Sequence, residues 1–258
     1  MPSPIAKNPS LAQLLENRRA TFHFSSEPVA DQDLDEILRL GSLAPSGYNL
    51  QPWRFLVIRD PANRLRLQKA AYDQAKVSEA PVVVIFLGMK EQTGAWAPEV
   101  FAEGVRRGVG RPENMQKSME GALGFIARYG WEKWVTKHSM IAFTTMMLAA
   151  ESLGYDTAPM EGFDPAAVKK EFEIPEEAEV LALLAIGRAR EPDKKFGGRL
   201  PLARIAFSEK FGEPWKTSGD PARAAGPEGI AEFYAKGDTP SPKAGGPQQG
   251  SLKCCGEG

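Results

Sequence analysis

The chain has 258 residues, enough for one large domain or two small ones. Its 32 Lys+Arg stand against 33 Asp+Glu, a net charge of −1, and this balance argues against a dedicated nucleic-acid binder, which needs a basic stripe. With only two His (His23 and His138) and two adjacent Cys (Cys254 and Cys255), no metal site and no disulfide framework is expected in the folded part.

The first residues lack the basic start and continuous apolar run of a secretory leader. The longest charge-free apolar segment, between Lys137 and Glu151, has thirteen residues. A spanning helix needs about 20, so no membrane partner is expected, and a cytoplasmic location is the default reading.

In chain order, Ser10 with Gln13 reads as a capping box that opens a short helix. Asp31 precedes Leu34, Ile37 and Leu38, spaced for a second, amphipathic helix. Trp53 to Ile58 reads as a strand, and Asp60-Pro61 opens a helix predicted to run to about Ala75. Pro81 to Leu87 is apolar throughout, a strand buried on both faces. The stretch from Trp96 to Trp134 is read as helices separated by loops. A long helix is predicted over Val135 to Leu153, ended by Gly154. It is apolar nearly all round, so it must be covered either by its own domain or by a second copy. Asp164-Pro165 opens a further helix that stops near Ile174-Pro175, and Val180 to Ile186 is a third strand. Helices and strands do not alternate regularly, which favours an α+β layer fold over a doubly wound parallel sheet.

Residues 217–258 hold nine Gly and five Pro among forty-two, too few apolar anchors to offset the entropy of ordering. The reading is therefore one folded domain over 1–216 and a Gly/Pro-rich, disordered tail over 217–258, with one possible helical turn near Ile230 to Lys236.

No Walker loop, complete dinucleotide fingerprint or nucleophile elbow is present, so an enzymatic role would rest on a cofactor. Three segments could hold one. Arg18-Arg19 offers two guanidinium groups suited to phosphate oxygens, although paired Arg at a helix C-terminus also simply complements the dipole. The loop from Ala44 to Trp53 concentrates hydroxyl and amide groups. Glu161-Gly162 lies just before a helix start, where backbone N–H groups can meet an electron-rich atom; an ordinary turn into a capped helix is the plainer alternative.

Taken together, Arg18-Arg19 with Phe24, Ala44-Pro45-Ser46-x-x-Asn49-x-Gln51-Pro52-Trp53, Glu79-Ala80-Pro81, Leu148 to Gly154, Glu161-Gly162-Phe163-Asp164, Ile186-Gly187 and Arg199-Leu200-Pro201-Leu202 resemble the FMN-dependent nitroreductase family, in family order over about residues 10–215. The resemblance implies a homodimeric α+β fold in three layers, a mainly antiparallel sheet flanked by helices, with two FMN in the dimer interface. It implies that Arg18, Arg19 and Ala20 lie at the flavin phosphate or the ring's polar edge and that Arg199 is a second phosphate contact. Pro45, Ser46 and Asn49 would come from the partner chain, and the backbone of Glu161 and Gly162 would face flavin N5. The implied activity is ping-pong transfer of hydride from NADH or NADPH through flavin to a flat acceptor such as a nitroaromatic or quinone, with no obligatory catalytic side chain. Other chemistry on the same fold (dehydrogenation, dehalogenation or flavin breakdown) and a non-enzymatic flavin-binding role are the alternatives. Phe125, Trp131 and Trp134 are candidates for the acceptor wall or for core. The sequence departs from the family at Ala20, where Ser is usual, and at Phe22 and Gly197, where a basic residue is usual. The cation that stabilises reduced flavin would then be Arg19, Lys194 or Lys195.

Overall fold

The computed structural model describes residues 9–191 and 197–216. The chain divides into two compact units, Met1–Phe196 and Gly197–Gly258. The readings of the tail, of Lys194 and Lys195, and of Cys254-Cys255 lie outside the described residues.

The first unit is an α+β fold around one four-stranded, wholly antiparallel sheet of order β1-β2-β4-β3. Its strands are β1 (Trp53–Ile58), β2 (Val82–Met89), β3 (Asp156–Met160) and β4 (Ala178–Gly187). β2 and β4 are central, and every residue of β2 is buried. The period-2 alternation sends Val83, Ile85 and Leu87 to one face and Val82, Val84 and Phe86 to the other. Three helices, α3 (Pro61–Ala70), α4 (Ala75–Glu79) and α8 (Pro165–Glu171), cover the first face through Leu67, Val77 and Val168. The second face is covered by α2 (Asp31–Ser42) and α7 (Trp131–Ser152) through Leu34, Ile37, Phe143 and Met146. The result is three layers with the sheet in the middle.

The Ser10–Gln13 capping box opens α1 (Leu11–Asn17) as expected. Three helix boundaries differ from the sequence reading by three residues or more; one is that α8 stops at Glu171, not near Ile174. The helix after Asp60 stops at Ala70, because Tyr72 and Asp73 take φ of 55° and 56° and turn the chain before α4. The long helix starts four residues earlier, at Trp131. Within one chain it is not enclosed: Ile141 is 39% exposed and Thr144 is exposed beside it.

β3 is absent from the sequence reading. Its segment, Asp-Thr-Ala-Pro-Met, has a single β-branched residue and a proline, a poor strand by composition. Pro159 is tolerated because β3 is an edge strand, where a missing N–H costs no ladder bond if it faces outward. Two further helices, α5 (Lys90–Arg106) and α6 (Met115–Tyr129), pack against the start of α7 around Leu50, Ala97, Ile126 and Trp134. In the second unit, α9 (Leu202–Ile205) leads into a hairpin closed by the Phe207–Pro214 bridge. Among the described residues, no helix is long and apolar enough to cross a membrane.

Candidate functional site

The edge of β3 organises the site. Where α1 ends, the chain turns extended and runs parallel to β3, pairing Ala20 with Thr157. The Thr21 N–H donates to the Thr157 carbonyl at 2.9 Å. This fixes Arg18, Arg19 and Ala20 along the strand that leads to Glu161 and Gly162. Arg19 folds back, donating from Nη1 to the carbonyls of Glu16 and Arg18. Arg18 does not: its Nη1 is buried and has no hydrogen-bond partner among the described residues. A guanidinium nitrogen left buried without an acceptor is costly, and an anionic oxygen at this point removes the cost.

A second strut comes from the turn between α3 and α4. The Gln74 side-chain amide donates to the Gly162 carbonyl at 2.6 Å and to the Ala71 carbonyl at 3.0 Å. The Asp164 N–H donates to the Ala70 carbonyl at 2.8 Å. Side-chain oxygen Oδ1 of Asp164 caps the first turn of α8. The exposed Glu161-Gly162 backbone is therefore held from both sides. A Cβ on Gly162 would come within 3.3 Å of Gln74 Nε2, so glycine is what lets the two approach. The Gly162 N–H makes no backbone hydrogen bond among the described residues.

Two residues beyond Gln74 stands Lys76. Its ammonium lies 5.3 Å from the ring of Phe22, which follows Ala20 by two positions. Burial pushes the Lys76 ammonium below its ordinary range. Arg18 Nη1, Lys76 and the Gly162 N–H are thus three donors for which no acceptor is found among the described residues, two of them charged. The sequence reading missed Lys76 and Gln74. Their one local cue is the polar pair Gln74-x-Lys76 just upstream of Glu79-Ala80-Pro81; the contact that matters links residues 88 positions apart.

Pro45, Ser46 and Asn49 lie elsewhere. Their loop precedes β1, at the opposite edge of the sheet from β3. Three strand spacings, about 14 Å, separate the two edges, so one chain does not bring these residues to Arg18 and Gly162. The loop is strained: Tyr48, Asn49 and Gln51 all have positive φ (55°, 56° and 46°). Non-glycine residues held there cost about 1 kcal/mol or more each, and such strain gathers at binding sites. Here it is fixed by the Gln51 N–H donating to Ser46 Oγ at 3.0 Å, by the Gln51 side chain donating to the Asn49 carbonyl at 2.8 Å, and by Gly47 packed on Trp134 and His138. Of the three aromatic candidates, Trp134 is core and Trp131 packs against it, whereas Phe125 is 45% exposed. Arg199 belongs to the second unit, where its Nη1 donates to the Gly198 carbonyl.

This arrangement has known relatives. The sequence model of the nitroreductase family matches residues 15–188. The chain belongs to the nitroreductase family. A relative from Thermus thermophilus, named NADH dehydrogenase, is 36% identical over 190 residues, spanning 74% of this chain and 91% of its own. The Bacillus subtilis protein assigned as the NAD(P)H nitroreductase MhqN is 30% identical over 192 residues, 72% of this chain and 92% of its own. Among solved structures, a protein from Exiguobacterium sibiricum assigned to the nitroreductases, crystallised in complex with FMN, shares the fold. Its TM-score is 0.71 at 23% identity, with 78% of this chain and 98% of that one covered. The nitroreductase fold expected from the sequence is therefore the fold of this chain, and the antiparallel order of its sheet agrees.

Proposed function

We propose that the protein is an FMN-dependent oxidoreductase of the nitroreductase family. In this reading it takes electrons from NADH or NADPH and passes them to a flat organic acceptor, a nitroaromatic or a quinone. The observation that carries the reading is the buried, unpartnered Arg18 Nη1, two residues before the Ala20 that pairs with β3. FMN, when bound, supplies the two-electron chemistry that no side chain of this chain carries.

The residues present fit that cofactor. Arg18 would offer its unpartnered Nη1 to the phosphate. Lys76 is the cation for the polar edge of the ring, in the role left open by Ala20, Phe22 and Gly197. A positive charge there favours the reduced, negatively charged form. The Gly162 N–H, aimed by Gln74, donates to the ring beside its reactive nitrogen. Because Pro45, Ser46 and Asn49 sit on the far edge of the sheet, they serve the site of a second copy. A homodimer built through the exposed side of α7 at Ile141 and Thr144 also covers a part of that helix that its own chain leaves open. A cytoplasmic location, where NAD(P)H is available as donor, belongs to the same reading.

The test is a spectrum of the purified full chain with added FMN. A retained yellow chromophore, bleached anaerobically by NADH or NADPH and restored by a quinone, is expected. A colourless protein that refuses FMN overturns the reading.

A further inference from the structure

One group of side chains has no part in holding the cofactor: the rings and the cation beside the loop before β1. Tyr48 and Tyr129 are about as exposed as Phe125, 48% and 42%. The Tyr48 ring meets Phe125 edge-on at 6.3 Å. Phe125 and Tyr129, one helical turn apart on α6, lie nearly parallel, 15° between planes and 6.0 Å between centres. The pair forms a ledge walled at one end by Tyr48. Rings left this exposed are stabilised when a flat ligand covers them.

The other end of the ledge is polar. Lys137 Nζ donates to the Tyr129 hydroxyl oxygen at 2.6 Å and stands 5.1 Å from the ring centre. The oxygen being used as acceptor, the Tyr129 O–H is left to donate, and it donates to no described residue. The ammonium of Lys137, with that of Lys133, pulls the Tyr129 phenol below its ordinary range, which makes it a stronger donor. Glu132 and Glu179 line one cavity with Tyr129 and Lys133; the Glu179 carboxyl is pushed up chiefly by burial, against the hydrogen bond from Thr136, and further by Glu132. An apolar plate that ends in an O–H backed by two ammonium groups suits an aromatic ring bearing an anionic oxygen substituent.

We propose that Tyr129 and Lys137 set acceptor specificity by selecting flat aromatic acceptors that carry a carboxylate or similar anionic oxygen group, the ring lying on Phe125 and the anion on the Tyr129–Lys137 end. This rests on the proposed function, in which the Tyr48 loop borders the flavin of the second copy.

The experiment uses a matched pair, 4-nitrobenzoate and 4-nitrobenzamide, which differ in charge and little in shape. Calorimetric titration of the full chain as purified is expected to show the benzoate bound about tenfold more tightly. In Tyr129→Phe and in Lys137→Gln that preference falls to about unity, while affinity for the neutral amide changes by less than about twofold. With NADH as donor, the ratio of kcat/KM for the two acceptors should fall in parallel. Equal affinities in the unaltered chain overturn the proposal, as does a preference that survives both substitutions. A Lys137→Gln chain whose KM for NADH rises while its benzoate preference persists assigns the cation to the dinucleotide instead, and also overturns it. Failure of FMN retention or of NAD(P)H-driven bleaching is read separately and counts against the oxidoreductase reading, not against the anion preference measured by titration.

Discussion

The two edges of the sheet carry different kinds of surface. At the β3 edge, Arg18, Lys76 and Gly162 are placed by backbone and amide hydrogen bonds: Thr21 to Thr157, Asp164 to Ala70, Gln74 to Gly162. The donors themselves are left over, with no acceptor found among the described residues. At the β1 edge, three positive-φ residues and a row of half-exposed rings make the surface, and the loop is pinned by its own hydrogen bonds. The first edge is pre-organised for an anion that stays, since burying an unpaired guanidinium is stabilising only with its ligand present. The second is a plate that a flat molecule can cover and leave. A resident cofactor and an exchanging acceptor ask for these two surfaces respectively.

The largest effect expected from breaking this contrast is at Arg18. An Arg18→Gln substitution should weaken FMN binding by about 10- to 100-fold, the worth of a charge-assisted hydrogen bond or two. It should leave the unfolding midpoint of the cofactor-free protein unchanged or raised, because the lost Nη1 had no partner. Flavin fluorescence titration and urea unfolding measure the two. A cofactor-free protein destabilised by more than about 1 kcal/mol would mean that Arg18 is structural, and the contrast between the edges would fail.

A smaller effect is expected at the other edge. Ser46→Ala removes the acceptor for the Gln51 N–H, and a part-buried hydrogen bond of this kind contributes about 1 kcal/mol. Three residues at positive φ are then less firmly held. Urea unfolding should report the loss, and FMN affinity should fall less than in Arg18→Gln. The reverse order would place the flavin's main grip on the loop.

The sequence made the central strands readable because burial on both faces writes a continuous apolar run: β2 and β4 are found to within two residues, and the edge strand β1, rich in bulky residues, to the residue. Caps are local as well, so Ser10, Asp60 and Asp164 announce their helices. The edge strand β3 left no such mark, since half of it faces away from the core and it tolerates Pro159. The site suffered for the same reason. Arg18 and Gly162 could be singled out from local chemistry and family order, but the strut that aims Gly162 is a contact between the α3–α4 turn and the loop after β3. Nothing in the neighbourhood of Gln74 or Lys76 reports a partner that distant. Lys76 is a cation the local sequence did not single out; it stands two residues after the Gln74 that bonds Gly162, with its ammonium 5.3 Å from the Phe22 ring.

The subtlest prediction concerns that lysine. Burial lowers its folded pKa below the usual value of 10.5, and no carboxylate offsets this among the described residues. In the cofactor-free protein the unfolded chain then holds the proton more tightly than the folded one. Stability should rise as pH climbs from the lowered folded value toward the ordinary lysine range, and be lost as pH falls back through the folded value. Lys76→Met removes that dependence. The difference in melting temperature between the substituted chain and the unaltered one should therefore be largest near neutral pH and shrink as pH rises into the lysine range; any fixed gain from the more apolar side chain cancels in the comparison. With FMN bound the ordering should invert at neutral pH, since the buried charge then has its anion. A difference flat with pH in the cofactor-free protein would show that Lys76 is fully hydrated, and the β3 edge would then hold one pre-organised cation, not two.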